Sequence, residues 1–265
     1  MQIISSDQVS EKVNNCRAQL ICSLLIFVGL SAVGHPAYSH DRFVQVISSA
    51  KPSVVTIKAT GKKRLFKSSE QRRREEALGD YAEYYKDDFS NIPDQRFGSG
   101  FVVASNNRQS WVLTAAHVVR DSKKITVELA GGDKEAAELV YLDRASDLAL
   151  LRVDVGMLPV LEISDKQLVE GQSVLGIGAA FGLSVSSSLG IVSALNVRLN
   201  TVKVAGMIQT DVSVNPGSSG GALLDSDGEV VGLITKIYSK TGTFAGSSFA
   251  VPAAKITSML EAWLN

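Results

Sequence analysis

From residue 53 onward the chain is a succession of short β-branched runs, each closed by Gly, Asn, Asp or Ser, and this punctuation leaves little room for a helical body. The runs are SVVTIKA from Ser53, GSGFVVA from Gly98, SWVLT from Ser110, ITVELA from Ile125 and LALLRV from Leu148. They continue with SVLGIG from Ser173, GIVSAL from Gly190, GALLD from Gly221, EVVGLIT from Glu229 and SSFAVP from Ser247. Runs of this length and composition read as strands. Asp225-Ser226-Asp227-Gly228, between two of them, is a hairpin signal. About a dozen strands over roughly 200 residues predict an all-β body built as sandwiches or barrels.

Two segments carry helical spacing instead. Residues 41–50 place Phe43, Val44 and Ile47 on one face, with Asp41 as a cap and Lys51-Pro52 as a stop. Pro252 opens a second helix, in which Ile256, Met259, Leu260, Trp263 and Leu264 form one apolar stripe.

The N-terminus reads as a targeting segment. An uncharged apolar run from Leu20 to Gly34 precedes Ala37-Tyr38-Ser39, whose small residues suit cleavage after Ser39. The run is short against the roughly 20 residues of a membrane span. Residues 1–39 are therefore expected to be a signal peptide, with an uncleaved membrane anchor as the alternative. Both cysteines, Cys16 and Cys22, fall inside the leader. The mature chain from His40 would have no disulfide, and two histidines without a cysteine make a poor zinc site. No metal and no cofactor are expected.

Lys and Arg number 27, as do Asp and Glu. That balance argues against a nucleic-acid partner, which favours an excess of positive charge. The charge is unevenly spread within residues 61–96. A basic stretch there includes Lys62, Lys63, Arg64, Arg72, Arg73 and Arg74. An acidic, tyrosine-rich stretch from Asp80 to Asp88 follows. A segment so polar does not belong to a core. It reads as a solvated insertion or as a docking or regulatory arm.

The chemistry concentrates in three places. Asn215-Pro216-Gly217-Ser218-Ser219-Gly220-Gly221 offers a serine among glycines. A serine nucleophile needs a base beside it and backbone N–H donors aimed at the developing oxyanion. Ser219 fits the nucleophile, and the N–H groups of Gly217, Ser218 and Ser219 are candidates for the oxyanion hole. The heptad also matches the G-x-S-x-G elbow of α/β-hydrolases, but there the histidine follows the serine. Here His35, His40 and His117 all precede Ser219, which excludes the elbow.

His117 ends the run Trp111 to His117, an apolar strand followed by two alanines. It is the one histidine inside the mature body, and a base is required to take and return the Ser219 proton. Asp147 enters the apolar run Leu148 to Leu151. A carboxylate there is costly unless paired, and the His117 ring would pair it. Asp143 is the competitor, in a turn-like stretch where a solvated Asp is ordinary. The order His117, Asp147, Ser219 is the chymotrypsin order.

The segments TAAHVV, SDLALLRV, FGLSVSSSLGIVSAL, IQTDVSVNPGSSGGALL and SSFAVPAAKI together resemble the catalytic domain of the HtrA (Deg) family of trypsin-like serine proteases. The resemblance covers most of residues 41–260. It implies two perpendicular six-stranded β-barrels at roughly 51–160 and 161–252, followed by the helix over 253–264, with the catalytic residues between the barrels. It also implies an ATP-independent endopeptidase acting on unfolded or damaged exported proteins in a bacterial periplasm, assembled as a homo-oligomer, usually a trimer. The insertion over 61–96 stands where the family carries a loop used in assembly or regulation.

The sequence departs from the family pattern in three ways. The resemblance is to the catalytic domain alone, without a PDZ domain. Ser218 stands where the family usually has Asn. The strand bearing Leu233, Ile234, Thr235 and Lys236 resembles the wall of the primary specificity pocket, with Lys236 at a place usually small and apolar. The rival reading is a dormant or partner-activated protein that binds unfolded peptides as a chaperone and leaves its triad unused.

Overall fold

The computed structural model describes residues 39–61, 95–198, 206–237 and 244–264. The segment up to residue 38, expected to be a leader, and nearly all of the charged insertion lie outside them. Two compact units divide the chain, Met1–Arg42 and Phe43–Asn265. The second unit holds every strand among the described residues.

Helix α1 spans Ser39–Ala50, starting two residues before the expected Asp41 cap. Phe43, Val46 and Ala50 are buried on one face, as an i, i+3, i+7 pattern requires. A 3-10 turn at Lys51–Ser53, with proline in its first positions, ends it.

Twelve strands follow among the described residues, in two closed antiparallel barrels. The first comprises β1 (Val54–Gly61), β2 (Gln95–Ser105), β3 (Ser110–Ala115), β4 (Ser122–Glu128), β5 (Lys134–Asp143) and β6 (Leu148–Val153), closed in the order β1-β2-β3-β6-β5-β4. The second comprises β7 (Ser173–Gly178), β8 (Ser186–Val197), β9 (Met207–Thr210), β10 (Ala222–Leu224), β11 (Val230–Ile237) and β12 (Ser248–Pro252), closed as β10-β11-β12-β9-β8-β7. Closure removes every sheet edge, which is how a chain this rich in β-branched residues avoids templating aggregation. A four-residue helix, α2 (Ala116–Val119), interrupts the first barrel, and α3 (Ala253–Leu264) follows the second.

The expected all-β double barrel with short terminal helices is thus the observed fold. Two strands are not legible locally. β5 reads KEAAELVYLD, rich in helix formers, yet it pairs with β4 and β6 across its length. Its alternate residues are half-covered by those neighbours, so sheet closure overrides propensity. β9 is only MIQT, too short for a periodicity. The Asp225–Gly228 turn behaves as expected. Gly228 takes φ +84°, and Asp225 Oδ1 accepts the N–H groups of Asp227 at 2.8 Å and Glu229 at 3.0 Å.

Each barrel buries its own apolar lining: Ile57, Phe101, Leu113 and Leu150 in the first, Ile208, Leu223 and Ile234 in the second. In α3, Ile256 is fully buried, while Met259, Leu260 and Trp263 pack at the margin of the core. The helix lies against β11 and β12 of the second barrel, and near its end Trp263 stacks on Tyr141 of β5 with ring centroids 5.4 Å apart.

Candidate functional site

The three chemistry-bearing stretches meet where the barrels face one another. His117 is the second residue of α2, immediately after β3. Asp147 occupies the turn before β6 at φ +58°, a left-handed conformation that Asp tolerates better than most residues. Ser219 lies in the loop before β10.

Asp147 grips His117 twice. Its Oδ1 accepts the His117 backbone N–H at 2.9 Å, and its Oδ2 pairs with ring Nδ1 at 2.8 Å. A return bond runs from the Ala116 N–H to the Asp147 carbonyl, also at 2.9 Å. The imidazole therefore has its Nδ1 occupied and presents Nε2. Asp147 as a whole is only 7% exposed. Burial alone would push its pKa up. The hydrogen bond from the His117 ring, the charge of that ring, the Thr235 hydroxyl and the His117 N–H outweigh burial and hold it below the ordinary value of 3.8. Asp143, the competitor, spends its carboxylate locally on the Ala145 N–H at 2.8 Å and the Ser146 hydroxyl at 2.6 Å.

Thr235, expected to line a substrate pocket, instead donates a short hydrogen bond from its side chain to Asp147 Oδ2. The signal that could have found it is weak: a lone hydroxyl in the apolar run GLIT. Its carbonyl accepts the Ser219 hydroxyl at 3.0 Å. A hydroxyl has one proton, so in this conformation Ser219 does not donate to His117.

The same strand carries the other residues of the pocket expectation. Leu233 is fully buried in the core, and Ile234 is 2% exposed. Ile234 borders a cavity of about 240 Å3 lined also by Ser186, Ser188, Ser213, Asn215 and Ser218. His117 and Ser219 are not among its walls. Ile234 faces into its own barrel, so by alternation Leu233 and Thr235 face the other way, Leu233 into the core and Thr235 onto Asp147. Lys236 pairs through its backbone with Phe249, and its side chain lies outside the described residues.

The loop from Pro216 to Gly221 is fixed by its carbonyls. Pro216 O accepts the Phe181 N–H at 2.5 Å. Gly217 O accepts the Ser99 hydroxyl at 2.8 Å. Ser218 O accepts the Gly221 N–H at 3.0 Å, and Ser219 O the Ser99 N–H at 2.8 Å. In a trans peptide the N–H points opposite to the C=O. Anchoring the Pro216 and Ser218 carbonyls therefore turns the N–H groups of Gly217 and Ser219 the other way. Ser218 differs: its N–H donates to Asn215 O at 2.9 Å, closing the turn. The candidate oxyanion donors narrow to Gly217 and Ser219.

The loop's glycines are demanded by space. Gly217 holds φ +99°, and a Cβ there would come within 2.5 Å of the Phe181 N. A Cβ on Gly220 would lie 2.1 Å from the Ser99 carbonyl oxygen. Phe181 itself sits at φ +58°, an uncommon conformation for a bulky residue, held by its bond to Pro216.

The chain is similar to known trypsin-like peptidases. The family model of the trypsin-like peptidase domain matches residues 98–233. A probable periplasmic serine endoprotease, DegP-like, of Pseudomonas fluorescens is 36% identical over 237 residues, covering 83% of this chain and 48% of the relative. The Marinomonas protein of the same description is 34% identical, covering 91% of this chain and 54% of the relative. The chain thus spans about half the length of the curated relatives it matches. Among solved structures, the HtrA-type protease AlgW with a tripeptide superposes with a TM-score of 0.66 at 28% identity, covering 82% of this chain and 63% of that one. The serine endoprotease from Yersinia pestis gives 0.60 at 29%, with 83% and 66% covered.

Proposed function

The chain belongs to the trypsin-like peptidase family, on its HtrA (DegP-like) branch, and from that premise we propose that it is a serine endopeptidase with His117, Asp147 and Ser219 as its catalytic residues. The observation that carries the reading is the double grip of Asp147 on His117, which aligns the ring while leaving Nε2 for a proton. In the proposed reaction the Ser219 hydroxyl turns from the Thr235 carbonyl to His117 Nε2. Its oxygen attacks the scissile carbonyl carbon, and its proton passes to Nε2. The oxyanion forms against the N–H groups of Gly217 and Ser219. His117 then protonates the leaving amine, and a water, deprotonated by the same ring, releases the acyl group from Ser219. Asp147, kept ionised, stabilises the imidazolium throughout. The substrates we propose are unfolded or misfolded polypeptides. The site of action is the periplasm, reached by means of the leader over residues 1–39, and the working form is a homo-oligomer, a trimer by the family resemblance.

Degradation of casein by the chain from His40, set against its Ser219→Ala variant, tests the proposal. Cleavage by the first and none by the second is the expected result. Equal cleavage by both would remove Ser219 from the mechanism.

A second reading has one observation in its favour: the Ser219 hydroxyl rests on Thr235 O and not on His117. A partner-activated or mainly chaperone-like protein would keep it there. Fluorophosphonate labelling of Ser219 in the isolated chain separates the two. Labelling supports the competent enzyme, and its absence supports the dormant form.

A further inference from the structure

Ser99 belongs to β2 of the first barrel and is fully buried, yet its polar groups are used mainly on the second. Its N–H donates to Ser219 O at 2.8 Å. Its hydroxyl oxygen accepts the Ala179 N–H at 2.7 Å. A backbone N–H can only donate, so the hydroxyl proton is left for Gly217 O, 2.8 Å away. The Ser99 carbonyl is held in turn by the Thr114 hydroxyl at 2.6 Å. The surroundings are shaped to let this residue reach across. A Cβ on Gly178 would meet the Ser99 hydroxyl at 2.9 Å, and one on Gly98 would lie 3.1 Å from Ser219 O.

The consequence falls on Gly217. A glycine has no Cβ to restrict it, so its conformation is set by whatever holds the peptides on either side. The peptide before it is anchored by Phe181 through Pro216 O. The peptide after it is anchored by Ser99 through Gly217 O. With both ends pinned, φ stays at +99°. Without the Ser99 bond, the Gly217–Ser218 peptide keeps only the Ser218 N–H bond to Asn215 O, and slack at the Gly217 Cα is passed to the neighbouring Pro216–Gly217 peptide, which carries the Gly217 N–H.

We propose that Ser99 is a positioning residue for the oxyanion hole, its hydroxyl fixing Gly217 from the opposite barrel. The proposal rests on the reading of the Gly217 N–H as an oxyanion donor. Ser99 touches no reacting atom and acts only through the loop.

The test compares Ser99→Ala, which deletes the hydroxyl, with Ser99→Cys, which keeps the volume with a weaker donor, both in the chain from His40. Three readouts are taken: kcat and KM on a chromogenic peptide, affinity for a peptide aldehyde, and amide hydrogen exchange over residues 215–221. For Ser99→Ala we expect kcat to fall about 10- to 100-fold, less than the roughly 10²–10³-fold cost of removing an oxyanion donor outright. KM should stay within about twofold, since the lost interaction belongs to the transition state. Aldehyde affinity should fall in step with kcat/KM, exchange over 215–221 should quicken, and Ser99→Cys should lie between the two. Unchanged kcat with unchanged exchange overturns the proposal, as does a loss carried by KM alone. If Ser99→Ala does not fold, Ser99→Cys decides by the same criteria. Should the unsubstituted chain neither cleave nor label, the enzymatic reading falls, and the exchange comparison still decides whether Ser99 holds the loop.

Discussion

The hydroxyl of Thr235 donates to Asp147 Oδ2, the same carboxylate oxygen that pairs with the ring of His117. One oxygen thus serves the proposed base and a buried threonine from the other barrel. Because the carboxyl is nearly excluded from water, each of its bonds weighs more than on a surface. Hydrogen bonds to charged groups contribute about 1.5–3 kcal/mol. Thr235→Val, which keeps the shape and deletes the donor, is expected to lower kcat roughly 10- to 100-fold with KM nearly unchanged. Thr235→Ser should retain most of the activity. Steady-state kinetics on a peptide substrate checks both, and a fully active valine variant would make the contact irrelevant to turnover.

Asp147→Asn replaces an oxygen that receives two side-chain donors by an NH2 group or leaves the other oxygen to rotate into its place. Either way one of the three present bonds to the carboxylate is lost or the imidazole tautomer inverts. The expected cost in kcat is about 10⁴-fold. The fold should survive, since both barrels close without this group. Circular dichroism beside the kinetics distinguishes a lost tautomer from a lost structure.

The same carboxyl makes stability depend on acid. Its folded pKa lies below the ordinary value of 3.8, so the folded state favours the ionised form. The resulting stabilisation is present above the unfolded pKa and is lost as pH falls through the folded one. Denaturant unfolding of the native chain and of Asp147→Asn, run from pH 7 to pH 2, should show a stability difference that is steady at the upper end and shrinks below about pH 3.8. A difference independent of pH would contradict the assignment.

Gly217→Ala tests the loop directly. At φ +99° a side chain is strained, and its Cβ would lie 2.5 Å from the Phe181 N and 2.6 Å from the Ala179 O. Those are backbone atoms that cannot step aside, so the peptide must turn. Loss of one oxyanion donor predicts a fall of about 10²–10³-fold in kcat. Fluorophosphonate labelling should slow in parallel. Undiminished labelling would mean that the Gly217 N–H is not used.

Asp225→Ala should act on stability and leave chemistry alone. This carboxylate, 2% exposed, caps the β10–β11 turn by accepting the N–H groups of Asp227 and Glu229. Deleting it leaves backbone donors without their acceptor, a loss of roughly 1–3 kcal/mol. Unfolding by urea should show that shift at unchanged kcat. A large kinetic effect would indicate that the turn communicates with the nucleophile loop.

Much was legible in one dimension. Runs of β-branched residues cut by turn residues are local signals, and they specified an all-β body. The chain order of a single internal histidine, an aspartate entering an apolar strand and a serine among glycines singled out His117, Asp147 and Ser219 by chemical need. What only the tertiary structure decided involves residues distant in sequence. Thr235 reaches Asp147 across a separation of 88 residues, and Ser99 reaches Gly217 across 118. Neither hydroxyl differs, in its local sequence, from any other serine or threonine beside an apolar run. β5 likewise carries helix formers and is a strand because β4 and β6 flank it. Periodicity and residue type are properties of neighbours along the chain. The partner of a buried hydroxyl, and the direction of a peptide N–H in a glycine loop, are set by which barrel wall comes to face it when both barrels close.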